Sequence, residues 1–67
     1  MSMRSAAVRQ AHERSDRTGE ICFVWKERAE ELPLWYVRGH LERDPENADL
    51  ICRVYPGDET ESWVGLS

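Results

Sequence analysis

The sequence lacks a long hydrophobic run, and this absence excludes several classes of protein. No stretch of about 18 residues is continuously apolar, so no transmembrane helix is predicted. Polar and charged residues interrupt the N-terminal segment where a secretion signal would need an apolar core. We therefore expect a cytoplasmic protein, in which the only two cysteines, Cys22 and Cys52, remain free thiols. Internal repeats and low-complexity tracts are also absent.

Residues suited to metal binding or catalysis are few and widely spaced. The residue types of His12, Cys22, His40 and Cys52 suit zinc, but no two of them lie close enough in sequence to form a ligand pair. Both cysteines lie within apolar runs, which is typical of inert core thiols. We therefore expect no metal, no cofactor and no enzymatic activity.

Charge is abundant and unevenly distributed. The 67 residues include 13 acidic and 9 basic side chains, giving a formal net charge of −4. Residues 1–18 are net basic, with Arg4, Arg9, Arg14 and Arg17, whereas residues 44–61 hold six acidic residues against Arg53 alone. An acidic field of this density disfavours contact with nucleic acid or anionic membranes and favours basic partners.

The pattern of apolar residues predicts one α+β domain over residues 1–67. A helix is predicted over about residues 2–15, capped by Ser2 and ended before Gly19, with a narrow apolar stripe of Met3, Ala7, Val8 and Ala11. Alternating segments predict strands at about 20–26, 34–43, 50–55 and 62–66. The short connections predict a four-stranded antiparallel meander with the N-terminal helix packed on one face.

A helix with such small apolar residues would cover the sheet thinly. One sheet face is therefore predicted to be packed and the other partly exposed. The aromatic residues exceed what one short helix can cover, so Trp35 and Tyr55 are candidate interface residues. The chain is expected to be a monomer or a weak homodimer.

The connections between the strands are acidic, and in a meander they would lie at both ends of the sheet, the first and third together. Alternate side chains on one face of a strand repeat every ~6.7 Å, whereas DNA carries one phosphate per ~3.4 Å along each strand. Carboxylates at such spacings would imitate several phosphates, although acidic loops also serve solubility alone. The candidate partner-binding residues are Glu27, Glu30, Glu31, Asp44, Glu46, Asp49, Asp58, Glu59 and Glu61.

In size, acidity, arginine bias and the absence of catalytic motifs, the whole chain resembles the small anti-CRISPR proteins of phages and mobile elements, in particular those directed at type I-C surveillance complexes. This resemblance rests on no signature motif, so it assigns no residue a role. It implies a stoichiometric inhibitor that binds a basic, DNA-binding subunit, such as the one that reads the protospacer-adjacent motif, and blocks target DNA.

Two further interpretations remain open from the sequence. The arginines of the N-terminal helix are compatible with a small nucleic-acid-binding regulator, whose binding to bare DNA would depend on salt. A generic interaction module, such as an antitoxin, would instead bind one protein partner without affecting DNA binding.

Overall fold

The computed structural model describes residues 2–64 and consists of one helix on a four-stranded antiparallel sheet, which confirms the predicted α+β class. The elements are α1 (Met3–Thr18), β1 (Cys22–Glu27), β2 (Trp35–Gly39), β3 (Ala48–Val54) and β4 (Glu61–Trp63). The end of the last predicted strand, at Gly65 and Leu66, lies outside the described residues.

Helix α1 begins and ends at the predicted caps, but its C-terminal end lies three residues beyond the expected Ser15. The Ser2 side chain accepts a hydrogen bond from the Ser5 N–H, and Gly19 ends the helix with a left-handed φ of 73°. The Gly19 N–H donates to the Ser15 carbonyl at 2.8 Å. The extra residues remain helical because nothing before Gly19 breaks the backbone pattern, and the Thr18 hydroxyl donates back to the Arg14 carbonyl.

The strand order is β2-β1-β3-β4, so the predicted meander order is wrong although every adjacent pair is antiparallel. β1 lies between β2 and β3, which are therefore parallel to each other. The connection formed by residues 40–47 must run back along the length of the sheet to reach the start of β3. As a result, the first and third connections lie at opposite ends of the sheet and not together.

The sheet face under the helix is lined by small residues. Ala7, Ala11 and Ser15 are the buried residues of α1, and they pack over Cys22 and Val24 of β1 and Cys52 and Val54 of β3. The Ser15 hydroxyl donates to the Glu20 carbonyl at 2.6 Å, which satisfies the one buried polar side chain found within residues 2–64. Small side chains let the helix approach the sheet closely.

The opposite face carries larger, half-buried side chains in two cross-strand rows. Phe23 lies between Arg38 and Arg53, and Trp25 lies between Tyr36 and Leu50. The β1–β3 register shifts at Val24 and Trp25, leaving Ile51 as the extra residue of a β-bulge. Leu50 therefore shares a face with Trp25 and not, as strict alternation predicts, with Cys52.

Residues 42–46 of the 40–47 connection lie beside a side chain of the face opposite the helix, although Glu42 also forms an ion pair with Arg14 of α1. Arg38, which lies on that face, lines a groove together with residues 42–46. On the same face, the indole Nε1 of Trp25 is buried without a hydrogen-bond partner in residues 2–64. This face is thus covered less completely than the face under α1.

Candidate partner-binding surface

The β3–β4 connection, residues 55–60, together with Glu61 at the start of β4, is called the acidic turn because it carries Asp58, Glu59 and Glu61. Tyr55, Pro56 and Gly57 set its shape: the Asp58 N–H donates to the Tyr55 carbonyl at 3.2 Å, and Gly57 has a φ of 76°. Proline followed by glycine with positive φ is the signature of a type II turn. The sequence Pro56-Gly57-Asp58 alone signals a turn at this point, and the structure confirms it.

Asp58 holds the second half of the acidic turn. Its Oδ1 atom accepts hydrogen bonds from the Thr60 N–H at 3.0 Å and from the Thr60 hydroxyl at 2.8 Å. The hydrogen bond from the Thr60 backbone, followed by that from its hydroxyl, lowers the pKa of Asp58 below its usual 3.8. The carboxylate is therefore ionised at neutral pH and fixed in orientation.

Helix α1 fastens the acidic turn to the body of the protein. The Oδ1 atom of Asp16, near the C-terminal end of the helix, accepts a hydrogen bond from the Gly57 N–H at 3.0 Å. This contact spans 41 residues of sequence, and no local motif announces it. Asp16 thereby adds a fourth carboxylate to the surface, one that the sequence did not single out.

Glu61 lies in β4 and not in a connection, which corrects its predicted place. Its Oε1 atom lies 2.9 Å from Nε2 of His12, and both side chains are about one-quarter exposed. Glu59 is exposed and lines a groove with His12, Asp16 and Asp58. The structure therefore gathers four carboxylates around one imidazole at this end of the sheet.

Tyr55 lies at the start of the acidic turn and is 37% exposed. Its carbonyl accepts a hydrogen bond from the Asp58 N–H at 3.2 Å, which places this candidate interface residue in the same turn as Asp58. Trp35 has a different environment. It is half-buried at the edge of the core, and the Lys26 ammonium lies 5.8 Å from its ring centroid.

The other candidate acids do not join this surface. Glu27 ends β1 and accepts a hydrogen bond from the Leu34 N–H at 3.2 Å, so its place is in a strand and its role is local. Asp49 lies in β3 and pairs with Nε of Arg28 at 2.8 Å. Both positions correct the expectation that they belong to the connections.

The remaining acids form two separate exposed groups. Glu30 and Glu31 lie in the first connection, at the opposite end of the sheet from the acidic turn. Asp44 and Glu46 lie in the 40–47 connection between β2 and β3, called the crossover connection below, beside Arg38 and Arg43. The nine predicted acids are thus divided among different parts of the molecule, and only Asp58, Glu59 and Glu61 converge.

The arginines of α1 are partly engaged within the fold. The Arg4 guanidinium lies 4.4 Å from the ring centroid of Trp63. Arg14 forms an ion pair with Glu42 and donates to the Val37 carbonyl. These contacts direct two of the four arginines to internal partners, which weakens the interpretation of α1 as a nucleic-acid-binding helix.

The four histidine and cysteine side chains, whose residue types suit zinc, lie apart from one another. Cys22 and Cys52 are free thiols in the core, His12 contacts Glu61, and His40 follows β2 on the surface. Burial raises the pKa of Cys22 and raises that of Cys52 to about 11. Within residues 2–64, no group of three or more His, Cys, Asp or Glu side chains is arranged to hold a metal ion.

Comparison with known proteins yields no match: no family model, curated protein or solved structure is detectably similar to this chain. The one helix in the described part of the chain is too short and too polar to cross a membrane. The geometry of the acidic turn is therefore the basis for the functional proposal.

Proposed function

We propose that this protein is a non-enzymatic inhibitor that binds a basic, nucleic-acid-binding subunit of a host complex and blocks its access to target DNA. The resemblance to small anti-CRISPR proteins suggests a type I surveillance complex, in the cytoplasm of a bacterial host, as that complex. The acidic turn, with Asp16 beside it, is the surface that makes the contact.

The observation that carries the proposal is that the carboxylates of this surface are held in place before any partner binds. Asp58 is oriented by Thr60, and Asp16 is oriented by the Gly57 N–H. Fixed charges lose less conformational entropy on binding than charges on free loops do. This arrangement favours a recognition role over a role in solubility alone, for which orientation is irrelevant.

Tyr55 supports the same surface. Aromatic residues are enriched at protein interfaces, where they add apolar contact within a polar rim. Tyr55 is exposed and begins the turn that carries Asp58, so a partner that binds the acidic turn would also have the ring within reach. The carboxylates would speed association with arginines and lysines of the partner and fix its orientation.

The test uses a purified type I-C surveillance complex and a fluorescent double-stranded target, with inhibition of DNA binding as the readout. The variant Asp58→Asn/Glu59→Gln removes two charges but keeps the oxygen that accepts from Thr60. Its matched control, Asp44→Asn/Glu46→Gln, removes two charges from the crossover connection. We expect the first variant to lose inhibition at least about tenfold, equal to about 1.4 kcal/mol, and the control to keep it.

Capture of the complex only in the absence of target DNA would support competition for the DNA site. Absence of binding by the wild-type protein would overturn the proposed target. Equal weakening by both double variants would show that the net charge matters and not the acidic turn.

A further inference from the structure

β2 is an edge strand, and its outward-facing backbone groups can be assigned residue by residue. The Glu27 N–H donates to the Leu34 carbonyl, which makes Leu34 part of the ladder with β1. Because hydrogen-bonding direction alternates along a strand, Trp35, Val37 and Gly39 direct their N–H and C=O groups away from the sheet. Such an edge is a template for pairing with another strand unless the protein blocks it.

The C-terminal half of this edge is closed by the protein's own groups. The Gly39 N–H donates to Oε1 of Glu42 at 2.9 Å, and the Glu42 N–H donates to the Gly39 carbonyl at 3.1 Å. The Val37 carbonyl accepts from Nη1 of Arg14 at 3.3 Å and from Nη1 of Arg38 at 3.2 Å. An added strand could not extend past Val37 without displacing these groups.

The N-terminal half of the same edge is open. No group within residues 2–64 hydrogen-bonds to the outward N–H and C=O of Trp35 or to the N–H of Val37. Exposed apolar side chains lie next to this half: Leu32 is 91% exposed and Leu34 is 54% exposed. Leu32 also has a φ of 47°, a left-handed conformation that is costly for leucine.

The two halves of the edge differ in charge as well. The exposed Glu30 and Glu31 precede the open half. Along β2, a groove of about 410 Å³ runs between α1 and the strand, and its charged lining is Arg14, Arg17 and Arg38 with one acid, Glu13. Lys26 and Arg4 lie beside Leu32 and Leu34, but Glu30 and Glu31 at this end are opposite in charge to the three arginines of the groove.

We propose that two copies of this chain form a two-fold dimer by antiparallel pairing of the open halves of β2, centred on Trp35. In a two-fold interface each end of the edge meets the other end of its copy. The open half of each copy thus meets the closed half of the other, and the two-fold axis makes this contact occur twice. In each contact, Glu31 approaches Arg17 of the second copy, and Leu32 and Leu34 approach its groove.

The hydrogen-bond inventory matches this register. With Trp35 opposite its own equivalent, Pro33 lies opposite Val37 of the second copy. Pro33 has no N–H to donate, and the Val37 carbonyl opposite it already has its donors from Arg14 and Arg38. The free Val37 N–H, in turn, meets the Pro33 carbonyl. The pairing therefore leaves no donor or acceptor of this stretch newly unsatisfied.

Sedimentation equilibrium over a range of concentrations, from micromolar to near-millimolar, tests the dimer. We expect the wild-type mass to rise toward that of two chains. Glu31→Arg and Arg17→Glu should each weaken the dimer at least about tenfold, because each places two like charges together in the interface. Glu59→Arg makes the same charge change at the far end of the molecule and should leave the mass unchanged.

An equimolar mixture of Glu31→Arg with Arg17→Glu should restore association, because the opposite charges again meet at both contacts. The double variant in one chain should do the same, and circular dichroism verifies that each variant folds. A wild-type protein that stays monomeric throughout, or single variants that associate as well as wild type, would overturn the proposal. Failure of the mixture to restore association would also overturn it. Inhibition of a surveillance complex is a separate readout, so either proposal can fail alone.

Discussion

The two faces of the sheet differ in the size of their side chains and in how completely these are buried. Under α1 lie alanines, cysteines and valines, and Cys22, Val24, Cys52 and Val54 are each fully buried. On the other face lie Phe23, Trp25 and Tyr36, which are larger but only half-buried. The degree of burial therefore follows the cover that α1 provides and not the size of the side chains on each face. For a domain this small, the well-sealed face must supply much of the stability.

The largest expected contrast is in thiol reactivity. Cys22 and Cys52 are sealed under α1, and burial raises the pKa of both thiols, so each needs an opening of the fold to react. We expect labelling with a thiol reagent at least about a thousandfold slower in the native protein than in urea. A Ser62→Cys variant, exposed on β4, supplies the fast-reacting control. Rapid native labelling of Cys52, measured by peptide mass spectrometry, would contradict the contrast.

Truncation of one residue on each face gives a second, smaller contrast. Val24→Ala leaves a cavity in the sealed face and should lower the free energy of unfolding by about 2 kcal/mol. Leu50→Ala removes more atoms from the opposite face but should cost only about 1 kcal/mol, because Leu50 is half-buried. Urea denaturation measures both values. A larger loss for Leu50→Ala would mean that the crossover connection seals its face as well as α1 does.

The smallest expected effect is the contribution of the exposed Asp58 to the pH dependence of the unfolding free energy. The pKa of Asp58 is lowered by the Thr60 hydrogen bonds, so ionised Asp58 stabilises the fold above its ordinary pKa of 3.8. That contribution should disappear as the pH falls from this value through the lower pKa of the native state. The unfolding free energies of wild type and Asp58→Asn should therefore differ near neutral pH and converge in acid. NMR titration of the Asp58 carboxyl provides the direct check of the direction.

Local chemistry made much of the fold predictable. Ser2 and Gly19 fixed the ends of α1, and the alternating segments located the four strands. Strand order could not be read in this way, because it depends on which strands β1 pairs with and not on the length of any one connection. The bulge at Ile51 was equally hidden, since it leaves the alternating pattern of letters unchanged while turning Leu50 to the other face.

The candidate surface was predictable only in part. The Pro56–Gly57 signal and the local acids pointed to the acidic turn, because a turn depends on neighbouring residues. Asp16 and His12 were missed because their contacts with Gly57 and Glu61 arise from tertiary packing of α1. Conversely, Glu27 and Asp49 were predicted to lie in connections. They lie in strands because β1 ends one residue later and β3 begins two residues earlier than expected.

The strand order also has a consequence for the speed of folding. β1 with β2, and β3 with β4, are two hairpins that each close over a short connection, and the β1–β3 ladder joins them. The hairpins pair residues close in sequence, whereas the β1–β3 ladder closes a much longer loop. The conformational entropy of that loop is lost before the contacts between the strands stabilise the pairing. Joining the two hairpins along β1 and β3 is therefore expected to be the slow step by which this domain reaches its native state.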